Sequence, residues 1–305
     1  MHWIIFPLVA ALLFSFVEFI DNYLVDTYCK KLNPKCMSGV YVALELIILP
    51  IVAIIFRNEI FSDFNFSIIL LFLAGGLFNV IAEIPYYQAL KSEDTTGVTL
   101  LAQMSPVLAL ILGAIFLQEI ITPAQTVAFF IILVATVIIV LGAGKKRIKL
   151  EAKATTLMLL TCLLWVLSDI VFVFNSREIN LVSGLFFMFF GGTASNIILM
   201  VVFKKLRTDL KSFLRKKRTK KFTIMTINEI LCIIAEIFWR LGLLAAPVAI
   251  MSVTGNAAQL IITFFLGIVL TIFFPKFGRE KLSRRHVANH AIATTMMVVA
   301  VILIG

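Results

Sequence analysis

Apolar runs of about 20 residues alternate along the chain with short polar and charged clusters. A helix of that length rises about 30 Å, the depth of a hydrocarbon core, so each run predicts a membrane-crossing helix. Ten are predicted, over 3–25, 37–56, 67–90, 97–117, 123–143, 156–175, 182–203, 223–244, 248–270 and 285–304. Some ends are marked by local chemistry. Thr122-Pro123 supplies an N-cap followed by a proline at the first helical position, where its missing N–H is no loss. Pro247 marks the start of the ninth helix, and Leu244, Ala245 and Ala246 leave so short a hairpin that helices 8 and 9 are predicted to be antiparallel neighbours.

Composition agrees with a membrane protein. Of 305 residues, 61% are apolar and 14% charged, against roughly a quarter charged in a soluble domain. No stretch between the runs is long enough for a separate soluble domain. The first run has no basic segment before Ile4 and no small-residue cleavage pattern after it, so it reads as a helix and not a signal peptide. Cys29, Cys36, Cys162 and Cys232 lack metal-ligand spacing; Cys29 and Cys36 share a loop that would bridge only in an oxidising compartment.

Basic residues are lopsided. Lys30, Lys31, Lys35, Lys91 and the clusters 145–153, 204–221 and 276–285 follow odd-numbered helices, whereas the opposite loops hold Arg57 and Arg177. This bias predicts odd loops in the cytoplasm and both termini outside. The net charge of +10 is concentrated at 204–221, between two membrane helices, and reads as contact with anionic headgroups instead of nucleic acid.

The third and eighth runs share a pattern. Glu83-Ile84 aligns with Glu236-Ile237, and further on Gln103 meets Asn256 and Pro106 meets Gln259. The repeat predicts two halves, 1–143 and 156–305, joined by a basic linker over 144–155. Five helices per half is an odd number, so the second copy enters the membrane inverted, with a binding site expected at the interface.

Ionisable groups inside such helices are costly and mark candidate sites. They are Glu18, Asp21, Glu45, Glu83, Asp169, Glu229, Glu236 and Arg240. Asp21 is expected to reach interfacial water, and an intrahelical Glu236–Arg240 pair competes with a binding role. Tyr87 lies one turn from Glu83, and the amides Gln103, Asn256 and Gln259 read either as cavity wall or as interhelical hydrogen-bonding glue. Glu83 carries the strongest functional expectation, since it recurs in the repeat and has no base nearby on its own helix. Gly75-Gly76, Gly191-Gly192 and the Ala109–Gly113 spacing predict close helix packing, and His286 and His290 read as structural.

From Tyr86-Tyr87-Gln88-Ala89-Leu90 through Gln103, Pro106 and Leu117-Gln118-Glu119 to Leu141-Gly142, the chain resembles the EamA-type repeat of the drug/metabolite transporter superfamily. Leu164-Trp165 with Ser168-Asp169 resembles the start of a second repeat, and Glu280 its turn glutamate; Ile20-Asp21 and Phe273-Phe274-Pro275 are similar to features of one branch. The resemblance implies a ten-helix bundle of two inverted five-helix repeats that works by alternating access without ATP. Relatives export or exchange amino acids, other metabolites or drugs. The expanded loop after Pro275 departs from the pattern, and many relatives have both termini in the cytoplasm.

The expectation is therefore an all-α integral membrane protein, a secondary transporter and not an enzyme, in the cytoplasmic membrane of a prokaryote. Its cavity is expected between helices 1, 3, 4, 6, 8 and 9. Glu83 and Glu236 would be the principal solute or proton ligands, supported by Glu18, Tyr87, Gln103, Asn256, Gln259 and Arg240. The solute would be amino acid-like, cationic or drug-like, with proton coupling allowed. No cofactor, metal or nucleic-acid partner is expected, and a homodimer is compatible with the pattern. A membrane sensor or a lipid-linked flippase are the alternatives.

Overall fold

A computed structural model describes residues 2–29, 32–62, 65–92, 95–142, 152–176, 178–215 and 219–273, with scattered positions between 292 and 303. The described residues contain helices and no strand: α1 (Ile5–Tyr28), α2 (Ser38–Ile55), α3 (Arg57–Phe61), α4 (Phe66–Ala89), α5 (Thr95–Ala102), α6 (Ser105–Leu112), α7 (Pro123–Gly142), α8 (Ala152–Asn175), α9 (Leu181–Val202), α10 (Lys204–Arg215), α11 (Thr219–Ala245) and α12 (Val248–Phe273). Seven are long and apolar enough to cross a membrane, and Ser105–Leu117 and Pro123–Ala135 form shorter apolar helices. Exposed Ile47, Ile54, Phe130, Ile198 and Val202 give them the outward apolar surface that lipid requires. The predicted tenth run, with His286 and His290, falls largely outside the described residues.

The fourth predicted run is broken. Pro106 has no N–H to offer the carbonyl of Ala102 and its ring crowds that turn, so α5 stops at Ala102 and α6 begins at Ser105. Neighbouring helices use the freed backbone: the Cys162 thiol of α8 lies 3.9 and 3.8 Å from the Leu101 and Ala102 carbonyls. A π-helical turn, Gly113–Leu117, ends this segment with Gln118 left-handed at φ 54°. Glu119, just beyond, accepts from the Val248 N–H at 2.8 Å and so satisfies a free amide at the start of α12. Its counterpart Glu280 lies outside the described residues. The predicted start of α7 is a reciprocal cap, in which Gln125 N donates to Thr122 Oγ1 at 3.2 Å and Thr122 N to Gln125 Oε1 at 2.9 Å.

Packing follows small residues. A Cβ on Gly76 would lie 2.3 Å from the Met188 carbonyl oxygen, and one on Gly191 would lie 2.6 Å from Leu73 Cα, so α4 and α9 meet backbone to backbone. Besides α9, α4 packs on α8; α11 packs on α1 and α2; α12 packs on α1, α5 and α6; and α6 packs on α8. Helices α11 and α12 are joined by the predicted hairpin, yet each lies against α1 far more than against the other.

The connecting segments sort to two ends. Lys91 Nζ donates to the Leu32 carbonyl at 2.6 Å and Asn33 N to Asp209 Oδ2 at 2.9 Å, bringing together the turns that follow α1, α4 and α9. At the other end, Asn180 Nδ2 donates to the Glu59 carbonyl at 2.6 Å, joining the turns after α2 and α8. The segment 204–215, read from sequence as a basic loop, is the helix α10. It buries Leu206 and Phe213, leaves its basic face outward, and touches the α1–α2 turn as an interfacial amphipathic helix would.

Candidate functional site

A cavity of about 230 Å³ lies inside the bundle, lined from α1, α2, α4, α8, α9, α11, α12 and the α5–α6 break. Among the described residues, seven acids reach its wall, Glu18, Asp21, Glu45, Glu83, Asp169, Glu229 and Glu236, against one base, Arg240. Tyr87, Asn256 and Gln259 also line it. Gln103 does not. It sits at the α5–α6 break, where its Nε2 donates to the Asn256 carbonyl at 3.0 Å, and so ties the fourth and ninth runs together as interhelical glue. The wall also includes residues of α2 and α9, beyond the helices expected from sequence.

Two ion-pair groups flank the middle of the cavity. Toward the end where the turns after α1, α4 and α9 meet, Lys35 pairs with Glu83, which also accepts from Ser38 Oγ at 3.2 Å. Lys35 was counted among the cytoplasmic loop charges; its side chain is only 1% exposed, while Glu83 stays 31% exposed on the cavity side. Toward the other end, Arg240 pairs with Asp169 and, at 3.2 Å, with Glu236 one turn back. Trp239 Nε1 donates to Asp169 at 3.1 Å, Arg240 donates to Ser168 Oγ at 3.3 Å, and the guanidinium lies over the Phe172 ring. The Glu236–Arg240 pair therefore forms, but as half of a bridge to α8.

Between these groups the acids are held by neutral donors. Glu18 accepts from Thr99 Oγ1 at 2.6 Å, and Glu45 from Thr193 Oγ1 at 2.8 Å. Asp21, expected at interfacial water, is buried on the cavity wall and accepts from Asn228 Nδ2 at 2.9 Å and Tyr86 Oη at 3.4 Å. Asn79, Asn196 and Asn228 complete the polar wall, and sequence reasoning missed all three because uncharged amides in an apolar run carry no cost large enough to single them out. Aromatic faces are supplied by Phe14, Tyr41, Tyr86, Trp165, Phe189 and Trp239. Cys29, Cys36 and Cys162 are buried, whereas Cys232 reaches the cavity.

Such a site can hold a small polar solute among carboxylates, amides and aromatic rings, with two breakable ion pairs on either side. Residues 1–141 match the model of the EamA-like transporter family. Those residues are an EamA-type segment of the drug/metabolite transporter superfamily. The chain is accordingly a multi-pass membrane protein, and this family's members are transporters that handle small solutes. No curated protein matches the chain. Among solved structures, a crystal structure of a protein shares 15% identity at a TM-score of 0.68, covering 100% of this chain and 97% of its own, which speaks for the fold alone.

Proposed function

We propose that this protein is an EamA-type secondary transporter that carries a small solute through the central cavity by alternating access, coupled to protons. The observation that carries the reading is the cavity itself, with seven carboxylates and a single base on its wall among the described residues. That many ionised acids in a low-dielectric interior are costly, so protons, a cationic solute or both must make up the balance.

In this reading the halves 1–143 and 156–305 are inverted five-helix repeats within a ten-helix bundle. The contact pattern supports this: α4 lies on α8 and α9, while α11, five predicted spans later, lies on α1 and α2. The α5–α6 segment lies on α8 as α12 lies on α1, and the fourth and ninth runs face each other. The two ion-pair groups then act as alternating gates. Glu83 is about 9 Å from the end of α4 and Arg240 about 8 Å from the end of α11, at opposite ends of the bundle. Solute or proton binding at Glu83 would release Lys35 and open one end; the same event at Glu236 or Asp169 would release Arg240 and open the other. Glu83 and Glu236 are thus ligands and gate partners together, with Glu18, Tyr87, Asn256 and Gln259 as wall.

Cys232 offers a native reporter, because the other three cysteines are buried away from the cavity. A membrane-impermeant thiol reagent should modify Cys232 when applied to either side of reconstituted vesicles, in separate experiments. Modification from one side only, whatever the pH, would contradict alternating access and favour a fixed sensing pocket.

A further inference from the structure

We infer that the solute is a small cation bearing N–H donors, a protonated amine without a carboxylate, held among Asp21, Glu45, Glu229 and Asn228. The inference rests on the transporter reading only for its biological use; as a statement about binding it stands on the cavity.

Three observations converge. Among the described residues, Glu18, Asp21, Glu45 and Glu229 have no basic side chain within 4.0 Å, since Lys35 is committed to Glu83 and Arg240 to Asp169 and Glu236. When ionised, these four acids leave the cavity short of positive charge. Next, Asn228 is 2% exposed and Asn196 4%, both line the cavity, and the Oδ1 of each has no hydrogen-bond partner. The Asn228 amide cannot be turned round, because its Nδ2 donates to the Asp21 carboxylate at 2.9 Å and to Tyr41 Oη at 3.3 Å. A buried carbonyl without a donor is costly, and Asn228 lines the stretch of wall where these acids gather. Water would satisfy the carbonyl and leave the charge to protons. An alkylammonium supplies both, with three donors and no acceptor, and the aromatic residues Tyr41, Tyr86 and Trp165 line the same cavity.

The same inventory excludes other solutes. A zwitterionic amino acid brings a carboxylate, and Arg240, the base on the wall, is already shared between two acids and Ser168. A quaternary ammonium brings charge but no N–H, leaving the Asn228 carbonyl unpaired. At about 230 Å³ the cavity is smaller than pockets that enclose drug-sized ligands, roughly 300–1,000 Å³, so the amine is small.

Equilibrium binding to the detergent-purified protein decides the matter, with n-butylamine, 1,4-diaminobutane, tetramethylammonium and leucine as probes. The two amines should bind saturably, with tetramethylammonium and leucine at least about tenfold weaker, the effect of one lost charge-assisted hydrogen bond. Asn228→Leu should weaken butylamine by about tenfold or more and leave tetramethylammonium unchanged. If that variant does not fold, Glu229→Gln tests the same wall and should weaken both amines. Tetramethylammonium binding as tightly as butylamine would overturn the inference, as would leucine binding in preference to either amine or the absence of amine binding. Two-sided labelling of Cys232 is measured without any amine, so it shows separately whether the transporter reading survives such a failure.

Discussion

Neighbouring glycines at the α4–α9 contact should respond oppositely to one added methyl group. On Gly76 the new Cβ would meet the Met188 carbonyl oxygen at 2.3 Å and Gly192 N at 2.5 Å, and on Gly191 it would meet Leu73 Cα at 2.6 Å. These are backbone atoms that no rotamer change can move. Ordinary contact starts near 3.4 Å, so α9 must retreat by about 1 Å. A gap of that size forfeits a quarter to a half of each dispersion contact across the interface, and overpacking of this kind costs about 1–3 kcal/mol. Replacing a helical glycine with alanine returns about 1 kcal/mol. Gly76→Ala and Gly191→Ala should therefore lower stability by up to about 2 kcal/mol net. On Gly192 the same methyl would rest 3.7 Å from Val80 Cγ2, an ordinary contact, so Gly192→Ala should be neutral or more stable by up to about 1 kcal/mol. Melting followed by tryptophan fluorescence at one fixed scan rate separates the three variants, the rate being held because detergent-solubilised proteins often unfold irreversibly. If Gly76→Ala and Gly192→Ala melt together, the packing argument is refuted.

Other consequences can be checked alongside. Glu83→Gln strands the Lys35 ammonium in the interior and should cost about 3 kcal/mol, the lower end for breaking a buried pair because Glu83 is partly open, while the double variant Lys35→Met/Glu83→Gln should recover most of that loss in the same melt. An equal loss in the double variant would mean that the pair is not coupled. Arg240→Met leaves Asp169 and Glu236 facing each other and should destabilise by about 3–5 kcal/mol, with Arg240→Lys restoring only part because it cannot fork to two acids. Glu119→Ala removes the acceptor for Val248 N–H and should cost about 1 kcal/mol. For orientation, in a Cys232→Ser background, a cysteine introduced at exposed Lys205 should be shielded from an impermeant thiol reagent in intact cells, and one at exposed Asn58 labelled; the reverse would overturn the positive-inside assignment. The native Cys29 and Cys36 cannot report this, since both are buried.

Much of this architecture is written locally. Seven of the predicted runs are long apolar helices, the Thr122-Pro123 start is a reciprocal cap, and both glycine pairs lie where two helices touch. Hydropathy, capping and small-residue spacing are properties of neighbours along the chain, so they can be read from it. The site is different. Asp21 is drawn off the interface by Asn228, 207 residues away in sequence, and Arg240 finds Asp169 on another helix as well as Glu236 on its own. Pairings of that kind depend on which helices meet, which periodicity does not specify. Lys35 shows the cost of a purely topological reading, because a loop lysine counts the same in a charge bias whether it faces water or an acid inside the bundle. The break at Ala102 was half legible: Pro106 announces it, but the Cys162 thiol that donates to the freed Ala102 carbonyl comes from α8.

Flux is the most direct test of the central claim. Protein reconstituted into liposomes would be offered a panel of labelled amines, amino acids and organic anions, with and without an imposed pH gradient. A transporter built on this cavity should move at least one small solute saturably. Lys35→Met/Glu83→Gln and Glu236→Gln should abolish that flux while keeping the fold. Undiminished flux in both variants would show that the solute crosses elsewhere, and the cavity would lose its assigned role.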